Sequence, residues 1–257
     1  MNTNSWPYPR WIGHRGAGKL APENTLAAFK LGASYGYRMF ECDVKLSRDG
    51  VPFLLHDDTL QRTTNARIKI GQGNSAIAGD YPWSTLAQLD AGSWHSEDYL
   101  GEPLPSFEVI ANYCLAHDFF LNIEIKPTPG LQEQTGEVVA HRAAQLWQGA
   151  AVAPLLSSFS VLSLEAAQAA QTDLPRGLLL DNLWTGWLET ALRLDCRAII
   201  CEQNLWDESS LTQAKSAGFR TLSYTVNDES TAQRLLNLGI DGLITDRIDY
   251  FSANRAA

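Results

Sequence analysis

The segment "FFLNIEIK" (residues 119–126) alternates apolar and polar side chains, and this alternation decides the fold. Successive side chains of a β-strand point to opposite faces, so Asn122, Glu124 and Lys126 share one face, while the other face carries leucine and isoleucine. In a closed barrel, the apolar face would pack on outer helices. The polar face would then point inward near the carboxyl end of the strand, where barrel sites form.

Seven further apolar or β-branched runs predict strands, and helix-like segments separate several of them. The predicted strands cover residues 11–15, 39–45, 119–126, 155–159, 176–181, 197–201, 220–226 and 242–245. Strands that alternate with helices predict parallel βαβ units, and eight strands close an α/β fold of the (β/α)₈ TIM barrel type. A doubly wound open sheet is the alternative.

Three helices have recognisable ends. Asn24 or Thr25 is a candidate N-cap for a helix that begins with "LAAF". The segments "DESSLTQAKSAG" and "DESTAQRLLNLG" predict helices that end at Gly218 and Gly239, since glycine commonly terminates a helix. The segment "SVLSLEAAQAAQ" predicts another helix.

One interval, residues 46–118, interrupts the alternation between the second and third predicted strands. Its middle, 60–105, is rich in Gly, Asn, Asp, Pro and Trp. A connection this long within a compact domain is usually functional or a small subdomain. We therefore expect one domain over 1–257 with a small insertion subdomain at roughly 46–118.

Composition narrows the class of protein. The chain has 257 residues, is 45% hydrophobic and carries a net charge of −9, so a general nucleic-acid binder is not expected. No run reaches the roughly 20 apolar residues of a membrane span, so stable membrane insertion is not expected. The four cysteines form no C-x-x-C pair, which suggests buried free thiols and a cytoplasmic location. Oligomeric state is not indicated.

Three acidic residues are candidate ligands for one metal ion. Glu41 and Asp43 share a strand face, and Glu124 lies on the polar face of another predicted strand. Converging buried carboxylates must be paired or bind a metal, and hard oxygen ligands suit Mg²⁺, Mn²⁺ or Ca²⁺. The alternative is a set of salt bridges to Lys126, Lys45 or an arginine.

Two histidines and two cations complete the candidate site. His14 and His56 each follow an apolar run and form a possible acid–base pair, because histidine titrates near neutral pH. Arg15 and Lys126 are candidates for holding an anion. The glycines of "GHRGAGKLAPENT" (13–25) would let backbone approach closely. Surface or structural roles are expected for His95, His117 and His141.

The ordered motifs resemble the glycerophosphodiester phosphodiesterase family, in its cytoplasmic bacterial form. They are "GHRGAGKLAPENTLAAF", "FECDVKLSRDGVPFLLHDDTLQRTT", "LDAGSW", "GEPLPSFEVI", "LNIEIKP" and "YTVND", and they span nearly the whole chain. The resemblance implies a metal-dependent barrel that hydrolyses deacylated phospholipids to sn-glycerol 3-phosphate and an alcohol. It also implies that the insertion covers the barrel mouth.

The resemblance assigns roles residue by residue. It implies one divalent ion on Glu41, Asp43 and Glu124, catalysis by His14 and His56, and phosphate contacts from Arg15 and Lys126. Tyr224 stands where many relatives carry tryptophan, and it is expected to contact the substrate. Two alternatives remain: a phosphatidylinositol-type or sphingomyelinase-D-like phospholipase, and a non-catalytic protein that binds a phosphate ligand.

Overall fold

A computed structural model describes residues 6–71 and 73–251, and in it eight parallel strands close into the predicted (β/α)₈ barrel. The first strand pairs with both its successor and the last strand, which closes the cylinder. The strands are β1 (Trp11–Gly13), β2 (Met39–Leu46), β3 (Pro52–Leu54), β4 (Phe120–Ile125), β5 (Leu155–Ser158), β6 (Arg176–Leu180), β7 (Ala198–Glu202), β8 (Arg220–Tyr224) and β9 (Gly242–Thr245). Short β3 is the exception, because it pairs antiparallel with β2 and lies outside the barrel wall.

Helices connect the strands. They are α1 (Leu26–Ser34), α2 (Ala66–Lys69), α3 (Trp83–Leu86), α4 (Phe107–Ala116), α5 (Gln132–Leu146), α6 (Val161–Ala170), α7 (Trp187–Arg193), α8 (Glu208–Ser216) and α9 (Glu229–Leu238). Thr25 is the N-cap of α1, because its hydroxyl accepts from the backbone N–H of Ala28. Gly239 ends α9 as predicted, and Gly218 follows α8 by two positions, both with positive φ. In the described ranges, no helix has both the length and the apolar character of a membrane crossing.

Apolar side chains form two layers around the strands. The outward residues of β2, such as Phe40 and Cys42, join the large core between the barrel and its helices. Inside the barrel, Met39 belongs to an apolar cluster with residues of the other strands, including Ile12, Leu179 and Ile200. The polar residues of β2 lie further along the same inner face, so the apolar layer forms the floor beneath them.

The connection between β2 and β4 builds part of the barrel and a small core of its own. Helix α4 packs in the outer ring through side chains such as Phe107 and Ile110. The preceding segment buries a separate apolar cluster that includes Phe53, Leu60 and Leu89. That the whole chain is one domain, with an insertion over 46–118, stays a prediction.

The first strand is shorter than predicted. It ends at Gly13, and Arg15 has a φ of 50°, which is incompatible with a continuing strand. A side chain at Gly13 would place its Cβ 2.4 Å from the carbonyl oxygen of Gly16, so the turn needs glycine there. This turn carries His14 and Arg15 over the barrel end.

Candidate active site

Three carboxylates converge at the carboxyl ends of β2 and β4. Asp43 lies opposite Glu124 in the parallel register, and Glu41 lies two residues earlier on the same face of β2. One oxygen from each of the three lies within 4.8 Å of the others. The side chains of Glu41 and Asp43 are almost completely buried, and that of Glu124 is 12% exposed. The structure therefore brings the predicted ligand set together.

Two of these oxygens have no hydrogen-bond partner in the described chain, although they are buried: Oε1 of Glu41 and Oδ1 of Asp43. Burial, and then the neighbouring carboxylates, raise the pKa of Glu41 well above its usual range. Burial and then Asp43 raise the pKa of Glu124 to about 7. Buried carboxylate oxygens that accept no hydrogen bond are unfavourable unless a cation lies close to them. The donor set therefore fits a hard divalent cation.

The alternative prediction, that these carboxylates form salt bridges with lysine or arginine, holds for some of the predicted partners. Arg15 Nε lies 3.2 Å from Asp43 Oδ2, and Lys126 Nζ lies 3.2 Å from Glu124 Oε1 and 3.6 Å from Asp43 Oδ1. Burial would raise the pKa of Asp43, but Arg15 and Lys126 outweigh it and hold this pKa well below its usual range. Lys45 instead contacts Asp58 at 2.7 Å. Two cationic side chains therefore face three carboxylates, so salt bridges alone do not balance the charge of the cluster.

Backbone and amide donors fix the carboxylates. The backbone N–H of Arg15 donates to Glu41 Oε2 at 3.0 Å. Asn24 makes two hydrogen bonds with Asp43: its amide donates to Oδ2 at 2.8 Å, and its oxygen accepts from the Asp43 N–H at 3.1 Å. Asn24, a candidate N-cap in the sequence, therefore orients a site residue, while Thr25 caps the helix.

His14 is oriented by a residue that follows the last strand. Its Nδ1 lies 2.7 Å from Asp246 Oδ1, and its Nε2 lies 3.8 Å from Glu41 Oε2. Burial would raise the pKa of Asp246, but the bond to His14 outweighs it and lowers this pKa to about 2. The amide of Asn227 donates to the other oxygen of Asp246 at 2.8 Å. An ionised Asp246 accepts from Nδ1–H, which leaves Nε2 directed at the carboxylates.

His56 is oriented by an aspartate in a similar way. Its Nδ1 lies 2.8 Å from Asp57 Oδ1, and Arg62 holds both oxygens of Asp57. Burial lowers the pKa of His56, although Asp43 opposes the shift. His56 is therefore neutral near pH 7 and can accept a proton.

A cavity of about 190 Å³ opens among these groups. It is lined by His14, Arg15, Glu41, His56, Asn122, Glu124, Lys126, Phe159, Leu179, Tyr224, Thr225 and Ile244. The hydroxyl of Tyr224 donates to the carbonyl of Leu180 at 3.0 Å, so its ring, packed edge-on against Phe159, forms the wall. A larger groove of about 560 Å³ lies between α5 and α6, away from these residues.

All eight residues singled out in the sequence meet here: seven line the cavity, and buried Asp43 lies beside them, held by Arg15 and Lys126. Sequence reasoning placed Asn122 on the inward polar face without a role, and it missed Asp246 and Phe159. Asp246 follows "GLIT" at the carboxyl end of the last strand, and that position was the available signal. The other three histidines, His95, His117 and His141, do not line the cavity.

The sequence of the chain is similar to those of known proteins. The family model described as "Glycerophosphoryl diester phosphodiesterase family" matches residues 14–250. A glycerophosphodiester phosphodiesterase of Caldanaerobacter subterraneus subsp. tengcongensis is 30% identical over 240 residues, which cover 91% of this chain and 93% of that protein.

Solved structures agree with the sequence relatives. A phosphodiesterase of Oleispira antarctica, in complex with the product sn-glycerol-3-phosphate, has a TM-score of 0.87 and 35% identity, and the match covers 96% of each chain. A glycerophosphodiester phosphodiesterase of Agrobacterium tumefaciens strain C58 has a TM-score of 0.78 at 25% identity, over 95% of this chain and 99% of that one. These matches confirm the predicted fold and enzyme class, and the chain belongs to the glycerophosphoryl diester phosphodiesterase family.

Proposed function

We propose that the cavity at the carboxyl ends of β2 and β4 hydrolyses glycerophosphodiesters to sn-glycerol 3-phosphate and an alcohol. The observation that carries the assignment is the convergence of a carboxylate cluster, two cationic side chains and two carboxylate-oriented histidines on one small cavity. The product named with the Oleispira structure supports the same substrate class.

One divalent cation, Mg²⁺, Mn²⁺ or Ca²⁺, is proposed to bind Glu41, Asp43 and Glu124, whose oxygens suit a hard ion. When bound, it supplies Lewis-acid stabilisation of negative charge and lowers the pKa of a hydroxyl or water. The three carboxylates, with Arg15 and Lys126, carry one net negative charge when ionised. A divalent ion changes this to one net positive charge, which suits a monoanionic phosphodiester.

Arg15 and Lys126 are proposed to contact the phosphoryl oxygens. Their charged groups border the carboxylate cluster and line the cavity. Burial would lower the pKa of Lys126, but Asp43 and Glu124 outweigh it and raise this pKa, so the ammonium stays charged. A planar guanidinium and a compact ammonium together favour a phosphate over a neutral ligand.

His14 and His56 are proposed to transfer protons. Each has its Nδ1 fixed by an aspartate, Asp246 or Asp57, and each lines the cavity. One imidazole takes the proton of the attacking group, which is either water or the glycerol 2-hydroxyl, while the other gives a proton to the alcohol oxygen as its bond to phosphorus breaks. Attack by water yields sn-glycerol 3-phosphate directly, whereas attack by the 2-hydroxyl yields a cyclic phosphate that water then opens with the two histidines in exchanged roles. Tyr224 and Phe159 offer apolar ring surface to the substrate.

The test is release of sn-glycerol 3-phosphate from glycerophosphocholine, glycerophosphoethanolamine and glycerophosphoinositol, with chelator and with cation added back. We expect hydrolysis of at least one of these diesters, lost in chelator and restored by a hard cation. No release from any of them, with hydrolysis of intact phospholipids instead, would favour the phospholipase alternative. Tight binding of the product without any hydrolysis would favour the non-catalytic alternative.

A cytoplasmic location is also proposed. Its support is that the four cysteines are free and buried, as expected for a reducing compartment. Fractionation of the source cells, with a periplasmic marker as control, tests it. The expectations of no nucleic-acid partner and no stable membrane insertion stay predictions.

The insertion is proposed to form one wall of the site in a single-domain chain. His56 lies two residues after β3 and lines the cavity, so this connection contributes to the active site. Limited proteolysis that releases the segment from a stable, active barrel would contradict the proposal.

A further inference from the structure

Arg62, in the segment after β3, makes four short hydrogen bonds to two carboxylates. Its Nε and one terminal nitrogen donate to Asp57 at 2.7 and 2.8 Å. Its two terminal nitrogens donate to Glu23 at 2.7 Å each. The guanidinium is thus bidentate to both carboxylates, the geometry in which arginine–carboxylate pairs are strongest and most directional.

The two carboxylates have partners in the active site. Glu23 Oε1 accepts from Arg15 at 2.9 Å and from Arg62 Nη2 at 2.7 Å. Asp57 Oδ1 contacts His56 Nδ1 at 2.8 Å and accepts from the same Nη2 at 2.8 Å. One nitrogen of Arg62 therefore binds the very oxygens that hold Arg15 and His56.

We propose that Arg62 is a positioning residue that fixes Arg15 and His56 relative to each other, and this rests on the proposed function. Without Arg62, Glu23 and Asp57 would lose their common cation, and each could rotate away from its site partner. Arg15 would then hold phosphate less well, and His56 would be less well aligned for proton transfer. Arg62 acts through Glu23 and Asp57.

The alternative is that Arg62 forms a surface ion pair with no role in the active site, and it predicts a different result for removal of Arg62. A pair that served stability alone would change the melting temperature and leave the kcat and product affinity of the folded enzyme unchanged. Removal of Arg62 should instead lower both product binding and kcat in enzyme that is still folded. Arg142 is a matched control, because it is 37% exposed and pairs with Glu108 on the outer helices.

The experiment compares Arg62→Met, Arg62→Lys and Arg142→Met with the parent enzyme. Residues that orient metal ligands typically contribute about 10- to 100-fold to activity, and we expect a similar factor for a residue that orients Arg15 and His56. We expect Arg62→Met to lower kcat by about that factor and to weaken sn-glycerol 3-phosphate binding severalfold by calorimetry. Arg62→Lys should recover part of both losses, since lysine keeps the positive charge but cannot form the bidentate hydrogen bonds of a guanidinium. Arg142→Met should match the parent in kcat and product affinity, and all variants are assayed well below their melting temperatures.

Two variants, each of which changes one of the two carboxylates that Arg62 binds, separate its effect on Arg15 from its effect on His56. Glu23→Gln should mainly weaken product binding, and Asp57→Asn should mainly lower kcat. In the Arg62→Met background, each should add much less than it does alone, because the link is already broken. Full additivity, or an unchanged kcat and product affinity in Arg62→Met, would overturn the inference. If Arg62→Met does not fold, Arg62→Lys decides: activity equal to the parent overturns the inference.

The outcomes are distinguishable from failure of the proposed function. A parent enzyme that hydrolyses no glycerophosphodiester would overturn that function and the role of Arg62 with it. An active parent whose Arg62 variants behave like Arg142→Met would overturn the role of Arg62 alone.

Discussion

Raising the pH should strengthen cation binding, because protons occupy the carboxylate cluster before the cation arrives. The pKa of Glu124 is raised from 4.5 to about 7, first by burial and then by Asp43. At about pH 6, roughly nine in ten molecules must therefore lose this proton when the cation binds. From Glu124 alone, the apparent affinity should rise about tenfold between about pH 6 and pH 8. Glu41 adds a second contribution of the same sign, since its pKa is also raised.

The raised pKa of Glu124 has the opposite consequence for the stability of the cation-free protein, which falls as the pH rises. The folded state holds the Glu124 proton more tightly than the unfolded chain, so stability is lost as pH rises from 4.5 to about 7. For a shift of this size, the loss is about 3 kcal/mol. A bound cation should remove this dependence, because it replaces the proton as the partner of the carboxylates.

Calorimetric titration of Mg²⁺, Mn²⁺ and Ca²⁺ checks both statements. Titrations in two buffers of different ionisation enthalpy count the protons released, and thermal melts across the same pH range follow stability. Glu124→Gln is the control, and its cation affinity should be weaker and less dependent on pH. A cation affinity that is constant from about pH 6 to pH 8, with no proton release, would refute the reasoning.

Four further predictions concern single groups. Glu41→Gln should abolish activity mainly by weakening cation binding, whereas His56→Ala should keep cation binding and lose about 10²–10⁴-fold in kcat; calorimetry and kinetics separate the two. Asp246→Asn should lower kcat about 10- to 100-fold with product affinity nearly unchanged, because it disturbs the orientation of His14; equal loss of product affinity would contradict this. A substrate with hydrogen in place of the glycerol 2-hydroxyl should bind and inhibit without turnover if that hydroxyl attacks phosphorus and forms a cyclic phosphate; turnover at the parent rate would identify water as the nucleophile. Gly18→Ala should destabilise the fold by about 2 kcal/mol or more in denaturant melts, because its Cβ would lie 2.2 Å from the Asp246 Cα in a backbone with φ of +57°; an unchanged midpoint would show that the loop relaxes.

The alternation in β2 and β4 was enough to predict the carboxylate cluster. Glu41, Asp43 and Glu124 lie on strand faces with a fixed period of two, and adjacent parallel strands end at the same edge of the barrel. The other barrel strands were predicted to within a few residues from their apolar and β-branched runs, since strands buried on both faces need no alternation. The short β3 was not predicted, because three residues carry too little alternation to indicate a strand.

Loop contacts could not be predicted from the sequence. Asn24 and Thr25 are both good N-caps, and only the position of Asp43 in space shows why Asn24 turns toward the site. Asp246 lies 232 residues from His14 along the chain. No local pattern links residues so far apart, and the pairing arises only when the barrel closes.

The closure of β1 between β2 and β9 has a consequence for synthesis on the ribosome. A nascent chain that has emerged as far as β8 already carries the three carboxylates of the cluster and the two histidines of the site. Yet His14 still lacks Asp246, and β1 lacks one of its two neighbouring strands. Catalytic competence should therefore arrive with the final strand, so that prematurely released chains, even those able to take up a cation, contribute no phosphodiesterase activity to the cell.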